Sequence, residues 1–255
     1  MKSDLRSLVG ALAAQHDELA TLLAPLDESG WSRPTRCEGW SVSDVVLHLS
    51  QTDELAVASA ADRFAEVSAQ MFGDSTASSV DDAADRMVAR QRGPAGAEIF
   101  QRWQAGTVAL RQALLAIDPD SLRRLSWVAG TLSVRTLVAT RISECWIHTG
   151  DVAAAIGQPL APTDRLWHIA RLAWRTIPYA FGRAGRELTG PVTFELTGPS
   201  GEPWTFASDN AVTVVRGTAE DLCNVAGRRA LPSEVALRAE GPDAEAVLDL
   251  VRTYA

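Results

Sequence analysis

Residues 4–24 (D-L-R-S-L-V-G-A-L-A-A-Q-H-D-E-L-A-T-L-L-A) repeat apolar positions at helical spacing and then meet Pro25, which predicts an amphipathic helix ending there. The loop G-W-S-R-P-T-R-C-E-G-W follows, punctuated by Pro34 and Gly39, with Trp31 and Trp40 expected to pin it as packed aromatics. Ser41 and Asp44 form a capping pattern with Asp in place of the usual Glu or Gln, so a helix is predicted from Val42 through His48 to about Val67. Residues 68–80 are small and polar and read as a mobile loop. Helices over about 81–91 and 95–117 come next, separated at Gly93-Pro94, the second stopped by Asp118-Pro119. The stretch S-W-V-A-G-T-L-S-V reads as a connection into a helix over about 133–157, closed by Gly157 and Pro159. Another helix, over about 163–180, opens at Pro162-Thr163-Asp164.

Past Gly190-Pro191 the period changes. V-T-F-E-L-T alternates every second residue, W-T-F-A-S and A-V-T-V-V-R-G also read as strands, and G-P-S-G-E-P between the first two is turn chemistry. T-A-E-D-L-C-N-V-A-G then reads as helix, E-V-A-L-R-A as strand and P-D-A-E-A-V-L-D-L-V-R-T-Y as helix. The order predicts a mainly α chain with a C-terminal α+β part: a helical bundle over 1–160 and a small mixed domain over 161–255, with the 163–180 helix as connector.

Composition narrows the function classes. A formal charge of −8 over 255 residues argues against nucleic acid or an anionic membrane as partner. No run of about eighteen apolar residues predicts a membrane span, and the N-terminus turns polar too early for a signal peptide. Three widely spaced cysteines imply no disulfide framework, and a reducing cytoplasm is the expected compartment. Lys2 is the only lysine, and with abundant alanine this points, by codon usage, to a GC-rich bacterial genome.

The candidate chemistry lies in T-R-I-S-E-C-W-I-H-T-G-D-V. Glu144 and His148 are one helical turn apart on one face and can share a cation. The other histidines are His16, His48 and His168; His48, on a second helix, is the best third ligand. Two imidazoles and a carboxylate suit Zn²⁺, and equally Ni²⁺, Co²⁺ or Fe²⁺, and three protein ligands leave a position open. Most E-x-x-x-H pairs are solvated surface contacts, so spacing alone leaves both readings standing. Cys145 points about 100° away around the helix and is not expected to complete the set. His16 is expected to be exposed or half-exposed, and His168 to be a packing or surface histidine. Asp44 has two readings, a partner for the His48 ring or a helix-start acid. Asp151, three residues past His148, reads either as an exposed helix acid or as a group that orients a ligand or acts as a base. F-G-R-A-G-R-E over 181–187 follows a helix rather than a strand and is discounted as a phosphate loop.

W-S-R-P-T-R-C-E-G-W-S-V-S-D-V-V-L-H-L resembles the opening signature of the mycothiol-dependent maleylpyruvate isomerase family, within the wider DinB-like metal-binding bundles. T-R-I-S-E-C-W-I-H-T-G-D-V-A-A-A-I-G resembles its second signature, and V-V-R-G-T-A-E-D-L-C-N-V-A-G-R-R with E-G-P-D-A-E-A-V-L resembles its closing domain. The resemblance implies a DinB-like four-helix bundle followed by a sterol-carrier-like domain. It also implies a divalent ion, usually zinc, on His48, Glu144 and His148. It further implies an arginine lent by the closing domain, matched by Gly227-Arg228-Arg229, with Arg228 favoured over Arg229 and a surface arginine as the other reading.

The expectation is an enzyme whose ion activates a small thiol, mycothiol or similar, for isomerisation or S-transfer on an electrophilic small molecule. A thiol-independent metal-dependent hydrolase, lyase or cyclase is the first alternative, and a non-catalytic small-molecule carrier or sensor the second. Substrate, native metal and oligomeric state are left open.

Overall fold

The structure, a computed structural model, describes residues 4–73, 79–118, 122–128 and 130–253. Internal packing divides the chain into one unit ending at Leu160 and a second beginning at Ala161.

The first unit contains α1 (Leu5–Leu23), α2 (Glu28–Trp31), α3 (Val42–Ala60), α4 (Phe64–Phe72), α5 (Val80–Gln91), α6 (Gly96–Leu115), the strands β1 (Arg124–Trp127) and β2 (Gly130–Ser133), and α7 (Val134–Ile156). Helices α1 and α3 each pack against both α6 and α7, which makes the four-helix bundle. Its apolar stripes meet in a core that includes Leu19, Val45, Leu49, Trp103 and Val152, all essentially buried. Burying a leucine-sized side chain contributes roughly 1.5–3 kcal/mol, so these stripes rather than helix propensity hold the long helices in place.

Three local expectations need correction. The helix through His48 does not reach Val67: it ends at Ala60, where Asp62 takes a left-handed φ of 59° and α4 restarts at Phe64. An aspartate in the position that glycine or asparagine usually fills gives no breaker signal. The loop expected over 68–80 is shorter, since α4 runs to Phe72 and α5 begins at Val80; residues 74–78 lie outside the described residues. The connection before α7 contains an antiparallel hairpin, with Leu125 opposite Leu132 and Trp127 opposite Gly130. It is tied down from α3, where the Ser59 hydroxyl donates to the Ser126 carbonyl at 2.5 Å, and by Phe64 against Trp127.

The second unit contains α8 (Leu166–Arg183), β3 (Val192–Thr197), β4 (Pro203–Phe206), β5 (Thr213–Thr218), α9 (Ala219–Ala226), β6 (Arg238–Glu240) and α10 (Ala244–Leu250). The sheet order is β4-β3-β5-β6, with β3 and β5 parallel and the outer pairs antiparallel. Along β3, Phe194 and Leu196 are buried while Glu195 and Thr197 face out, as period-two patterning requires. Helix α8 packs on β3, β4 and α9, and its Trp174 indole donates to the Val192 carbonyl at 2.8 Å. The strand expected at E-V-A-L-R-A is only its last part, because Pro232–Glu234 form a 3-10 turn first. A mainly α chain with a C-terminal α+β part is therefore the observed class. Among the described residues no helix is long and apolar enough to cross a membrane.

Candidate functional site

Helix α3 starts at a capping box: the Asp44 amide donates to the Ser41 hydroxyl, and the Ser41 amide donates back to the Asp44 carboxylate at 2.9 Å. The other Asp44 oxygen accepts from Arg92 Nε at 2.7 Å. One oxygen is thus committed to the helix start and the other to Arg92, and His48 Nδ1 is buried with no hydrogen-bond partner among the described residues. Asp44 is the helix-start acid and does not hold the His48 ring. One turn further on, His48 projects from α3 towards α7. Helix α7 has its own N-cap in Ser133 and a left-handed Gly157 at its end, and the span between them presents Glu144 and His148 one turn apart.

Glu144 lies between the two imidazoles. Its Oε1 is 2.8 Å from His48 Nε2 and 3.5 Å from His148 Nε2. One donor atom from each of the three residues falls within 4.8 Å of the others, a spread that one cation can bridge. His48 and His148 are each 7 % exposed, whereas Glu144 is half-buried. Nitrogen and carboxylate donors without a thiolate fit a divalent ion of the zinc, cobalt or nickel type.

Behind His148 lies a buried acid. Asp151 is 0 % exposed, and its Oδ2 accepts from His148 Nδ1 at 3.0 Å. That bond fixes the His148 ring with Nε2 facing Glu144, the arrangement by which carboxylates orient metal-binding histidines. Asp151 is therefore not the exposed helix acid that spacing alone allowed. Burial works against charge on His148, but its hydrogen bonds to Asp151, Cys37 and Glu144 prevail and hold it well above the ordinary histidine range. Burial also opposes ionisation of Glu144, and the bonds and charge of His148 and His48 overcome it, keeping that carboxyl well below its usual value. For His48 burial wins, and its pKa is lowered despite Glu144.

The loop before α3 forms another wall. The Trp40 ring lies 5.1 Å from the His48 ring and 6.4 Å from that of His148, while its indole donates to Asp85 at 2.7 Å. Cys37 donates its thiol proton to Asp151 Oδ2 at 3.4 Å. In the sequence Trp40 reads only as a packing aromatic, and no local signal marks Cys37.

The remaining candidates are placed as follows. Cys145 is buried and points at the Gln15 carbonyl, away from the cluster. His168 is half-buried and packs edge-on against Trp167. His16 is not on the surface. It is 2 % exposed, with Nε2 4.0 Å from Asp53, and burial followed by Arg111 and Arg141 pulls its pKa down to about 3. Its neighbours come from α3, α6 and α7, which helical periodicity in α1 does not reveal. Arg228 belongs to the second unit, just past α9, with φ 58° and its guanidinium donating to the Asp249 carbonyl at 3.1 Å. It is exposed, whereas Arg229 is half-buried and donates to the Gly227 carbonyl.

Comparison with known proteins gives the family and the fold. The mycothiol maleylpyruvate isomerase N-terminal domain family matches residues 12–153, a span that contains all three candidate ligands. An uncharacterized protein of Mycobacterium tuberculosis, found in strains CDC 1551 / Oshkosh and H37Rv, is 34% identical over 258 residues, covering 99% of this chain and 97% of the relative. The crystal structure of a mycothiol-dependent maleylpyruvate isomerase superposes with a TM-score of 0.62 at 18% identity, covering 94% of this chain and 95% of that one. A histidine-to-alanine mutant of that isomerase superposes equally well, at 17% identity. The chain belongs to the mycothiol maleylpyruvate isomerase family.

Proposed function

We propose that the chain is a metal-dependent enzyme that uses a small thiol, mycothiol or a close analogue, for isomerisation or S-transfer on an electrophilic small molecule. The observation that carries this reading is the convergence of His48, Glu144 and His148, a set of three donors among the described residues, with Glu144 still partly open to solvent. A divalent ion held there, zinc in this reading, supplies Lewis acidity that favours the thiolate form of a thiol at neutral pH. The chain's own residues do the rest. His48 and His148 offer neutral Nε2 donors, Glu144 supplies the negative charge, and Asp151 keeps a proton on His148 Nδ1. Trp40 shields the two rings from water. Arg228, in the second unit, carries a guanidinium of the kind that suits a carboxylate. Cytoplasmic action fits three cysteines that are all free thiols.

The reading is tested with purified protein, zinc, mycothiol and an electrophilic unsaturated acid. Turnover should require both the ion and the thiol. Equal turnover in thiol-free solution would replace the reading with a thiol-independent metal enzyme, and full turnover after chelation would end both.

Uptake of the ion should also release a proton. The raised pKa of His148 means that its protonated form adds stability to the metal-free fold fully below pH about 6.5, and that this is lost as pH rises through the raised value. An ion takes neutral imidazole, so affinity should rise up to about tenfold per pH unit until the pH reaches the raised value. Titrating Co²⁺ at pH 6 and pH 7 checks this; equal affinities at the two values would contradict it.

A further inference from the structure

We propose that Cys37 is a positioning residue for His148, acting through Asp151. The inference rests on the metal reading above and concerns a thiol that lies outside the three-ligand set. A single oxygen, Asp151 Oδ2, accepts from two donors: His148 Nδ1 at 3.0 Å and Cys37 Sγ at 3.4 Å. The sulfur is itself 3.9 Å from that nitrogen. Two donors converging on the same oxygen confine its position more tightly than either does alone. The tautomer and tilt of His148 follow from where Oδ2 sits, and with them the direction of its Nε2.

The thiol is placed by the backbone rather than by chance packing. The Cys37 amide donates to the Thr35 hydroxyl at 3.2 Å, and its carbonyl accepts from the Trp40 amide at 3.0 Å. The Thr35 hydroxyl in turn donates to the Trp40 carbonyl at 2.9 Å, and Pro34 bridges to Ser41 at the start of α3. The turn that presents Cys37 to Asp151 is therefore the same turn that lays Trp40 against both imidazoles. One short segment sets the orientation of His148 from behind and covers the donor cluster from the side. Cys37, His148 and Asp151 also form a compact donor group of their own, so direct ligation by the thiolate is the competing role.

The test compares Cys37→Ala with Cys37→Ser, which keeps a hydroxyl donor, by Co²⁺ titration against a competing chelator. Cys37→Ala should weaken Co²⁺ binding about tenfold or more, the lower end of the effect of losing an outer partner, while Cys37→Ser stays within about threefold of the parent. Unchanged affinity in Cys37→Ala overturns the proposal. Equal weakening in both variants, with matching falls in metal-free melting temperature, assigns Cys37 to packing and also overturns it. A thiolate-to-cobalt band in the parent, lost in Cys37→Ala, makes Cys37 a ligand and overturns it as well. If the parent takes up no Co²⁺, the metal reading fails, and Cys37 is then decided in metal-free protein by proton NMR. The His148 Nδ1 proton, identified by its loss in His148→Ala, should stay protected in Cys37→Ser and exchange faster in Cys37→Ala; no change in Cys37→Ala overturns the proposal.

Discussion

Replacing Glu144 with alanine is expected to lower affinity for a divalent ion by more than about a hundredfold, beyond the range found when only an outer partner is lost. The reason is geometric. Glu144 Oε1 faces both imidazole nitrogens, at 2.8 Å and 3.5 Å, so it is the atom that joins the α3 donor to the α7 donors. It is also the acid of the three-residue set, and two neutral imidazoles in a largely dry site do little to offset a dipositive charge. Glu144→Gln keeps the shape without the charge and should fall between the parent and Glu144→Ala. Co²⁺ titration followed by visible absorbance reads the effect, with circular dichroism confirming that the helices persist. A loss smaller than about threefold would mean that Glu144 is not a ligand.

The second large effect concerns stability. Arg141→Met should destabilise the first unit by about 3–5 kcal/mol, the usual result of stranding one partner of a buried ion pair. Arg141 on α7 donates from Nε to Asp53 Oδ1 at 3.0 Å and from Nη2 to the Thr52 hydroxyl at 2.8 Å. Its side chain is 3% exposed and that of Asp53 2%. Burial drives the Asp53 carboxyl upward in pKa and the Arg141 charge opposes this, so removing Arg141 leaves an acid that must either protonate or remain unpaired. The double variant Asp53→Leu with Arg141→Met should recover most of the loss, because well-packed apolar pairs often replace buried ion pairs at little cost. Urea denaturation of the parent and the two variants decides it. A change below about 1 kcal/mol in Arg141→Met would show that the pair is not holding α3 to α7.

Much of this arrangement was legible in local sequence. Ser41 and Asp44 announce the start of α3, Gly157 announces the end of α7, and the four-residue spacing of Glu144 and His148 sets them on one face. The third member is harder, since His48 and Glu144 are 96 residues apart and nothing local couples them. The scarcity of histidines and the family motifs supplied that link. What stayed hidden depends on neighbours distant in the chain. Asp151 has the same spacing whether it is exposed or buried, and only the loop packed over it decides. His16 is buried because Asp53, Arg141 and Trp103 surround it from three other helices. Cys37 lies in a turn whose sequence marks irregular backbone but not the direction of its side chain. The β1–β2 hairpin carries none of the strong two-residue turn signals, and the break at Asp62 uses a residue that seldom ends helices in this way.

The three side chains at the centre could in principle satisfy one another, a carboxylate between two imidazoles, without any ion. X-ray absorption of the protein loaded with one equivalent of zinc, with no added thiol, separates the two cases most directly. The account expects two imidazole nitrogens and a carboxylate oxygen at about 2.0–2.2 Å, lighter oxygen scatterers completing the shell, and no sulfur at about 2.3 Å. A sulfur in the shell, a closed set of four protein donors, or failure to retain stoichiometric zinc would contradict it.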